Sequence, residues 1–513
     1  MKLNVDLLAV AVLVLSGLFY YTITLPSPVV FGDEGYYASL GRYMANTGEY
    51  PISEPYYNTD IYHYKFYKLP MFFLFNTGAW LIASELGIKL MMPIFSVLSA
   101  LMMYVFLRSV GKPIQGLAAG VVLLMLPGMV TYGVMNYVET SNLLFVITAL
   151  FLGYQALTFG KRDCAVISGV FTGLGALTDT TAFFIPAILF TWFLLSRSFG
   201  KWKELLIIFL VAGVILTPFL ARNFLSYGGF CYNFLPGDCS PSSDITIPHD
   251  GALDAKFAGG VEQVGTNIGG TSFGVLNYFR FAYGWAAAIL MLFGLSFVFL
   301  KFDKFNSLIL VWFAFFIALT AQQLLMGGRT EDIPRYTLFG YPALAAISGT
   351  FIAEAFGWLE KKHVILGMVV LLLIGYSVWV FGNEKLTTMT SVKAFSAGFF
   401  DGCKWIRENT PQDTLIFSIY SHQTTYQCDR RNLNVLPDKA EIQLTNNNVS
   451  YQHLKLHGFD YIFVQQFAVS ENANRESITT AFLNYLETSP EFKKVYDNTA
   501  TYGSGGSRIY KVL

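Results

Sequence analysis

Residues 137–162 read YVETSNLLFVITALFLGYQALTFGKR and illustrate a pattern that recurs along much of the chain. The apolar run 141–159 is long enough to cross a bilayer, which takes about 20 residues, or about 17 at the short end. The acidic residue Glu139 precedes this run, and the basic pair Lys161 and Arg162 follows it. Because basic residues collect on the cytoplasmic side, the segment predicts a membrane-spanning helix whose C-terminal end faces inward.

The same pattern recurs along the first three quarters of the chain. Eleven apolar runs predict membrane spans: 7–25, 91–108, 114–131, 141–159, 164–178, 181–196, 205–221, 280–300, 307–326, 337–357 and 363–381. The run 71–87 is interpreted as a helix lying at the membrane interface. The first run has too long an apolar core for a signal peptide, and no small-residue cleavage site follows it.

Composition and charge agree with a membrane protein. The 513 residues are 54% hydrophobic and 13% charged, against roughly 25% charged in an ordinary soluble protein. Lys plus Arg and Asp plus Glu both number 34, so charge gives no reason to expect a nucleic-acid partner.

Basic residues set the predicted orientation. With the N-terminus in the cytoplasm, each inner loop carries Lys or Arg: Arg108 and Lys112; Lys161 and Arg162; Arg197, Lys201 and Lys203; Lys301 and Lys304; Lys361 and Lys362. Eleven crossings then place residues 382–513 outside the cell membrane. The sequence therefore predicts a multi-pass transmembrane domain, 1–381, with outer loops 26–90 and 222–279.

The more polar segment 382–513 alternates helical and strand patterns, which predicts a soluble extracytoplasmic α/β domain. On the oxidising side, Cys403 and Cys428 in this segment and Cys231 and Cys239 in an outer loop are candidates for disulfides. Free thiols are an equal alternative from the sequence alone.

Acidic and aromatic residues are concentrated in the first outer loop. Asp33 and Glu34 follow the first span, and a carboxylate there is a candidate general base towards a hydroxyl. Alternatively, the acidic pair simply caps the following helix. Four further side chains are candidates for contact with a polyhydroxylated substrate, since such rings combine a flat face with a polar tip: Tyr36, Tyr57, His63 and Tyr137.

Isolated Arg residues at membrane edges most often extend towards lipid headgroups. Arg222 and Arg335 both stand at outer ends of predicted spans. If several such cations converged on one face, they would form a site suited to a phosphate.

Several segments together carry a resemblance to a known family: Asp33-Glu34, Lys68-Leu69-Pro70, Tyr137-Val138-Glu139-Thr140, Thr217-Pro218 through Arg222-Asn223, Arg335-Tyr336 followed by Gly340-Tyr341-Pro342-Ala343, and Trp405 to Pro411. Their order resembles the GT-C superfamily, in the branch of dolichyl-phosphate-mannose–protein mannosyltransferases and lipid A aminoarabinose transferases. The Trp-Trp-Asp-Tyr-Gly motif of oligosaccharyltransferases is absent from the sequence, which argues against transfer of a whole oligosaccharide.

The resemblance implies a hexosyl- or pentosyltransferase that moves a sugar, with mannose a candidate, from a polyprenyl-phosphate donor to an acceptor hydroxyl with inversion. The acceptor would belong to a glycan, a lipid or a protein. Asp33 would be the general base, with Glu34 and Glu139 orienting it or contacting the sugar. Lys68, Arg222 and Arg335 would bind the donor phosphate and stabilise its leaving charge.

The resemblance is imperfect at some positions. Leu177-Thr178-Asp179 stands where many relatives have Leu-Thr-Lys, and Glu139 stands in place of an Asp. The sequence identifies no cofactor with certainty, and a divalent metal ion at Asp33, Glu139 and His63 is left open.

Two other functional classes are left open as well. A transporter or flippase of lipid-linked sugar would place ionisable residues at mid-membrane depth. Most of the acidic residues instead stand at outer ends of spans, with Asp179 the exception if the neighbouring spans are shifted. A simple membrane anchor would leave the long, Tyr-rich first outer loop unexplained.

Overall fold

The computed structural model describes residues 5–24, 33–58, 66, 68–230, 288–325, 333–360, 397–433, 451–466, 469–470 and 478–513. The helices before residue 361 are α1 Val5–Thr24, α2 Glu34–Thr47, α3 Pro70–Ser109, α4 Pro113–Met125, α5 Pro127–Tyr132, α6 Val138–Phe159, α7 Arg162–Ala176, α8 Phe184–Leu195, α9 Trp202–Tyr227, α10 Ala288–Leu300, α11 Lys304–Leu325, α12 Ile333–Tyr336 and α13 Tyr341–Glu360. Proline opens α3, α4 and α5, where its missing N–H costs no helical hydrogen bond.

Five helical segments in the described part of the chain are long and apolar enough to cross a membrane: Pro70–Ser109, Val138–Phe159, Phe199–Tyr227, Lys304–Gln323 and Leu338–Trp358. Shorter apolar helices overlap the predicted spans 7–25, 114–131, 181–196 and 280–300. The prediction of a multi-pass membrane protein is therefore confirmed. The exact number of eleven spans stays a prediction, and the last of them, 363–381, lies outside the described residues.

Two predicted helix boundaries were wrong. The span 114–131 is broken at Leu126, which has extended backbone because the following Pro127 disfavours helical geometry in the residue before it. The predicted interface helix 71–87 ends earlier than expected, because a sharp kink inside it divides α3 into two helical arms, the second of which continues into the next predicted span.

The kink of α3 lies at Ala83 and Ser84, and Ser84 has a left-handed φ of 50°. The arm after the kink packs closely on the arm before it. A Cβ at Gly87 would lie 1.9 Å from the carbonyl oxygen of Ala79, so only glycine fits at this contact.

The helices pack around one extended hydrophobic core, in which α6 contacts α3 and α7, and α13 contacts α4. Ion pairs join neighbouring helix ends at one side: Arg108 with Asp6 at 2.5 Å, Lys112 with Asp303 at 2.9 Å and Lys301 with Glu354 at 2.5 Å. The C-terminal end of α6 reaches the same side, since Gln155 donates to Ser109 at 3.3 Å. This side carries the loops predicted to be cytoplasmic.

The described residues after 396 form helices and a mixed sheet. The helices are α14 Ala397–Asn409, α15 Ser421–Cys428, α16 Tyr451–Leu456, α17 Thr480–Thr488 and α18 Thr499–Tyr502, and the strands are β1 Leu415–Ser418, β2 Arg431–Leu433, β3 Tyr461–Gln465, β4 Val469–Ser470, β5 Ile478–Thr479, β6 Phe492–Asp497 and β7 Ser507–Val512. The main sheet has the order β2-β1-β3-β7-β6. Strands β2, β1 and β3 run parallel, whereas β7 is antiparallel to both β3 and β6.

A disulfide joins Cys403 of α14 to Cys428 at the end of α15, as one of the two candidate pairs predicted. Both cysteines are buried with Phe463 and Ile509 of the sheet. The other candidate pair lies outside the described residues. The disulfide fixes the position of α15, the helix that approaches the candidate site.

Candidate active site

The guanidinium of Arg335 joins two carboxylates that are far apart in the sequence. Its Nε donates to Oε1 of Glu139 at 2.6 Å, and its Nη1 donates to Oδ2 of Asp33 at 2.9 Å. The guanidinium carbon lies 4.3 Å from the centre of the Tyr137 ring. The hydroxyl of Tyr37 lies 3.5 Å from Nη2. The structure thus brings together four residues that were predicted for different roles in one site: Asp33, Glu139, Arg335 and Tyr137.

Each of the charged residues comes from the end of a helix. Asp33 directly precedes α2, Glu139 lies in the first turn of α6, and Arg335 belongs to the short helix α12 just before α13. A carboxylate in the first turn also interacts favourably with the helix dipole. The site therefore lies at the end of α6 opposite to the side that carries the basic loops.

Asp33 stands at the N-cap position of α2, where an aspartate side chain ordinarily accepts a backbone N–H. It makes no such bond here. Its side chain pairs with Arg335 and keeps 39% of its surface exposed. The alternative that this carboxylate merely caps the helix does not describe Asp33. A half-exposed carboxylate held from one side is suited to accept a proton from a hydroxyl.

Glu34 is buried and connects three segments near the site. Its Oε1 accepts the backbone N–H of Asn136 at 3.0 Å, and the side chain of Asn136 donates to Asn76 of α3 at 2.6 Å. These contacts hold the start of α2 against the segment that leads into α6. They give Glu34 a positioning contact, while its predicted catalytic role stays a prediction.

Tyrosines form one wall beside Asp33. The rings of Tyr36 and Tyr57 stack with their centres 5.4 Å apart. The hydroxyl of Tyr36 donates to the carboxyl of Glu54, and both of these side chains are buried. The side chain of Tyr57 is half-buried. His63, the remaining candidate for substrate contact, lies outside the described residues.

A histidine from the C-terminal part completes the surroundings of Asp33. Nε2 of His422, in the first turn of α15, lies 3.6 Å from Oδ1 of Asp33. Nδ1 of the same ring is hydrogen-bonded to the hydroxyl of Tyr57. Arg335 therefore contacts one oxygen of the Asp33 carboxylate, and His422 approaches the other.

The predicted phosphate-binding cations lie in different surroundings. Lys68 is exposed, and its ammonium makes no hydrogen bond or ion pair with the described residues. Its charge lowers the pKa of both Asp33 and His422, which places it on the same cleft. Among the predicted cations, Lys68 is thus the one available to a ligand in this arrangement.

Arg222 instead holds the first outer loop against α9. Its guanidinium donates to the carbonyl oxygens of Pro51 at 2.6 Å and Phe66 at 2.8 Å, and to the side chain of Asn223 at 2.8 Å. A role in binding phosphate stays a prediction for this residue, and the contacts it makes are structural.

The pKa values follow from burial and neighbouring charges. Enclosure raises the pKa of Asp33, but the charges of Arg335 and His422 and the Arg335 hydrogen bond outweigh it, so the pKa lies below its usual range. Burial lowers the pKa of His422, and the charge of Asp33 offsets this only in part. Burial raises the pKa of Glu54 to about 7, although the Tyr36 hydrogen bond opposes it. At neutral pH, these shifts favour an ionised Asp33 and a neutral His422, whose charge acts on Asp33 only at acidic pH.

A metal site would need ligands that the described residues do not bring together. Among them, no group of three or more His, Cys, Asp or Glu side chains is placed to hold a metal ion. Two residues of the predicted metal set, Asp33 and Glu139, are joined by the positive charge of Arg335. His63 lies outside the described residues, so the metal alternative stays a prediction.

The sequence alone does not indicate Tyr37, Glu54 or His422 as site residues. Tyr37 adjoins the predicted residue Tyr36, and Glu54 lies in the same outer loop, so their positions in the chain are the signal that could have identified them. His422 gave no signal, because nothing in its local sequence connects it to Asp33. Asp179 accepts the N–H of Thr181 at 2.7 Å and lies within the field of Arg335, so it belongs to this end of the helices.

The resemblance seen in the sequence is supported by a family model and by solved structures that share this arrangement of apolar helices. Residues 68–222 match the family model of the dolichyl-phosphate-mannose-protein mannosyltransferases. The matched segment contains Lys68, Glu139 and Arg222, and it ends before Arg335. A sequence comparison with curated proteins gives no match.

Two solved proteins share this fold at low sequence identity. ArnT from Cupriavidus metallidurans bound to undecaprenyl phosphate has a TM-score of 0.65 at 14% identity, covering 100% of this chain and 99% of that one. The Archaeoglobus fulgidus oligosaccharyltransferase in the apo form has a TM-score of 0.66 at 15% identity, covering 89% of this chain and 69% of that one. The oligosaccharyltransferase AglB from the same archaeon, in complex with an inhibitory peptide and a dolichol-phosphate, has a TM-score of 0.61 at 14% identity, with the same coverage of 89% and 69%.

Proposed function

We propose that the chain is a glycosyltransferase that moves a sugar from a polyprenyl-phosphate donor to an acceptor hydroxyl on the outer face of the membrane. The observation that carries this proposal is the ion-paired group of Asp33, Arg335 and Glu139 at one end of the helices. The sugar is a hexose or a pentose, with mannose a candidate from the family match. The acceptor belongs to a glycan, a lipid or a protein.

The likeness to structures that contain polyprenyl phosphates supports the donor class. ArnT was solved with undecaprenyl phosphate, and AglB with a dolichol-phosphate. A lipid tail in the bilayer would bring its phosphate to the helix ends where Asp33 and Lys68 lie. The exposed ammonium of Lys68 and the guanidinium of Arg335 supply positive charge there.

The chemistry assigned to this site is a single displacement. Asp33 accepts the proton of the acceptor hydroxyl, and the hydroxyl oxygen forms a bond to the anomeric carbon. The bond from that carbon to the phosphate oxygen breaks, and polyprenyl phosphate leaves with the electron pair. Attack from the opposite face inverts the anomeric centre. The low pKa of Asp33 keeps the base ionised at neutral pH, before the proton is transferred.

Transport of a lipid-linked sugar is the alternative. It drew support from Asp179, the acid that a shift of neighbouring spans would place at mid-membrane depth. Asp179 lies in the connection between α7 and α8 and interacts with Arg335, which favours a role at the site.

The test is sugar transfer by the purified full chain in lipid, given a panel of polyprenyl-phosphate sugars and acceptors. Wild type is compared with Asp33→Asn and with Asp163→Asn, an exposed aspartate at the basic side of the helices. We expect wild type and Asp163→Asn to release polyprenyl phosphate and Asp33→Asn to lose at least about a hundredfold in rate, as for loss of a general base. Undiminished transfer by Asp33→Asn would exclude this residue as the base, and no transfer by wild type would favour the transporter.

A further inference from the structure

We propose that His422 serves as the proton acceptor behind Asp33, so that the C-terminal part of the chain supplies a positioning and proton-relay residue to the active site. This inference rests on the proposed function, because it assigns a path to the proton that the general base removes. The observation behind it is the approach of Nε2 of His422 to Oδ1 of Asp33 at 3.6 Å.

The two oxygens of the Asp33 carboxylate have different neighbours. Oδ2 accepts a hydrogen bond from Arg335, which cannot take up a proton at physiological pH. Oδ1 faces the imidazole of His422, which can. Among the described residues, His422 is therefore the basic group to which a proton can move after this carboxylate has taken it from an acceptor hydroxyl.

The hydroxyl of Tyr57 fixes the orientation of the imidazole. It is hydrogen-bonded to Nδ1, so Nε2 is the nitrogen directed at Asp33. When Nε2 takes the proton, the ring becomes an imidazolium, and its Nδ1–H donates to the Tyr57 oxygen. The proton then passes to solvent and the ring returns to its neutral form. The relay thus needs no partner beyond the described residues and water.

The helix that carries His422 is fastened to the first outer segment at several points. Arg42 of α2 forms an ion pair with Asp429 at 2.5 Å and donates to the carbonyl oxygen of Tyr426 at 3.2 Å. The backbone N–H of Asn432 donates to the carbonyl oxygen of Tyr56 at 3.1 Å. These contacts place Tyr57 and His422 in a fixed relation to each other and to Asp33.

The charges around the imidazole are consistent with a neutral resting state. The groups facing it are Asp33 and Tyr36 at the start of α2, Tyr57 in the first outer loop, and Lys68 just before α3. Burial lowers the pKa of His422, the charge of Asp33 raises it, and the charge of Lys68 lowers it further, with a net decrease. A neutral imidazole at neutral pH is the form that can accept a proton.

This role predicts how the rate depends on pH. Transfer should fall on the acidic side as His422 becomes charged and can no longer accept a proton. His422→Gln removes the titrating group. Its rate at neutral pH should therefore drop, and the remaining acidic fall should move to lower pH, where Asp33 itself becomes protonated. A histidine that only holds the helices together would lower the rate without moving the acidic fall.

The experiment measures kcat and kcat/KM for sugar transfer across pH for wild type, His422→Gln and His453→Gln, a matched change in the same part of the chain. We expect a decrease in kcat of about a hundredfold for His422→Gln, the lower end of what one acid–base group contributes, together with the shifted acidic fall. His453→Gln should retain the wild-type profile. If His422→Gln keeps the wild-type rate or the wild-type acidic fall, the relay is wrong.

Tyr57→Phe gives a second test should His422→Gln fail to fold. It removes the oxygen that stabilises the imidazolium, so the pKa of His422 decreases and the acidic fall moves to lower pH with a partial loss of rate. An unchanged acidic fall in this variant would also exclude the relay. Loss of transfer in Asp33→Asn with a wild-type profile in His422→Gln would uphold the proposed function and reject the relay alone.

Discussion

Arg335 determines the state of the carboxylates that it joins. Glu139 is nearly enclosed, and an unpaired charge buried in this way would be costly, so the ion pair with Arg335 offsets that cost. For Asp33 the same guanidinium lowers the pKa, which keeps the carboxylate ionised. These residues could be identified from the sequence because they lie at the outer ends of predicted spans. Their pairing could not be predicted, because it depends on how α2, α6 and α12 pack.

Glu54 predicts a pH-dependent stability. Its pKa is about 7 in the folded chain against 4.5 for an ordinary glutamate, so the folded state holds a proton that the unfolded state has released between these values. Stability from this group should therefore be present below about pH 4.5 and fall as pH rises towards 7, by up to about 3 kcal/mol.

Glu54→Gln, which is neutral at every pH, should remove this dependence and be more stable than wild type under alkaline conditions. The measurement is the thermal unfolding midpoint in detergent as a function of pH, with the exposed Glu49→Gln as control. A wild-type pH dependence in Glu54→Gln would show that another group is responsible.

Close packing of α2 against α15 brings the C-terminal part to the site. A Cβ at Gly35 would lie 2.5 Å from the carbonyl oxygen of His422, a backbone atom that cannot move aside without shifting the helix. The glycine is thus required at this position by the approach of α15. Nothing in the sequence around Gly35 indicates that a segment so distant in the chain covers it.

Gly35→Ala should push α15 away from Asp33 and reduce sugar transfer about tenfold or more, as misplacement by about 1 Å does at active sites. The chain should still fold, with a lower thermal midpoint. Gly78→Ala is the matched control, because a Cβ there meets nothing within 4 Å. Equal transfer by both variants would show that the spacing of α2 and α15 does not matter for activity.

Regular elements were easier to predict than their interruptions. The alternating pattern in 382–513 predicts strands, and the regular strands β1, β3, β6 and β7 lie in that segment. The break at Leu126 could have been found from Pro127. The kink at Ala83 and Ser84 could not, since neither residue is a glycine or proline and the bend depends on the fit of Gly87 against Ala79.

The described helices before residue 361 carry ion-paired residues at both ends. The ion pairs of Asp6, Asp303 and Glu354 lie at one end of the helices, and the group around Arg335 lies at the other. This separation is what an orientation with basic loops in the cytoplasm requires. Which side each end faces remains a prediction, since only the pattern of Lys and Arg in the loops supports it.

Labelling of single cysteines with a membrane-impermeant reagent tests the orientation. In a chain whose Cys164, Cys231 and Cys239 are replaced and whose disulfide is kept, Asn484→Cys should react in intact cells. Lys161→Cys should react only after the membrane is permeabilised, because its loop is predicted to be cytoplasmic. The reverse pattern would invert the predicted topology, and labelling of both in intact cells would reject it.

The pairing of Asp33 with Arg335 has a consequence for biosynthesis. Asp33 is made early and follows the first predicted span, whereas its partner emerges from the ribosome only after most of the later helices. An incomplete chain therefore holds Asp33 and Glu139 without their counter-ion, and His422 arrives later still. On the proposed function, sugar transfer would begin only once translation and membrane insertion are nearly finished, and a truncated or stalled product would be inert towards a lipid-linked donor.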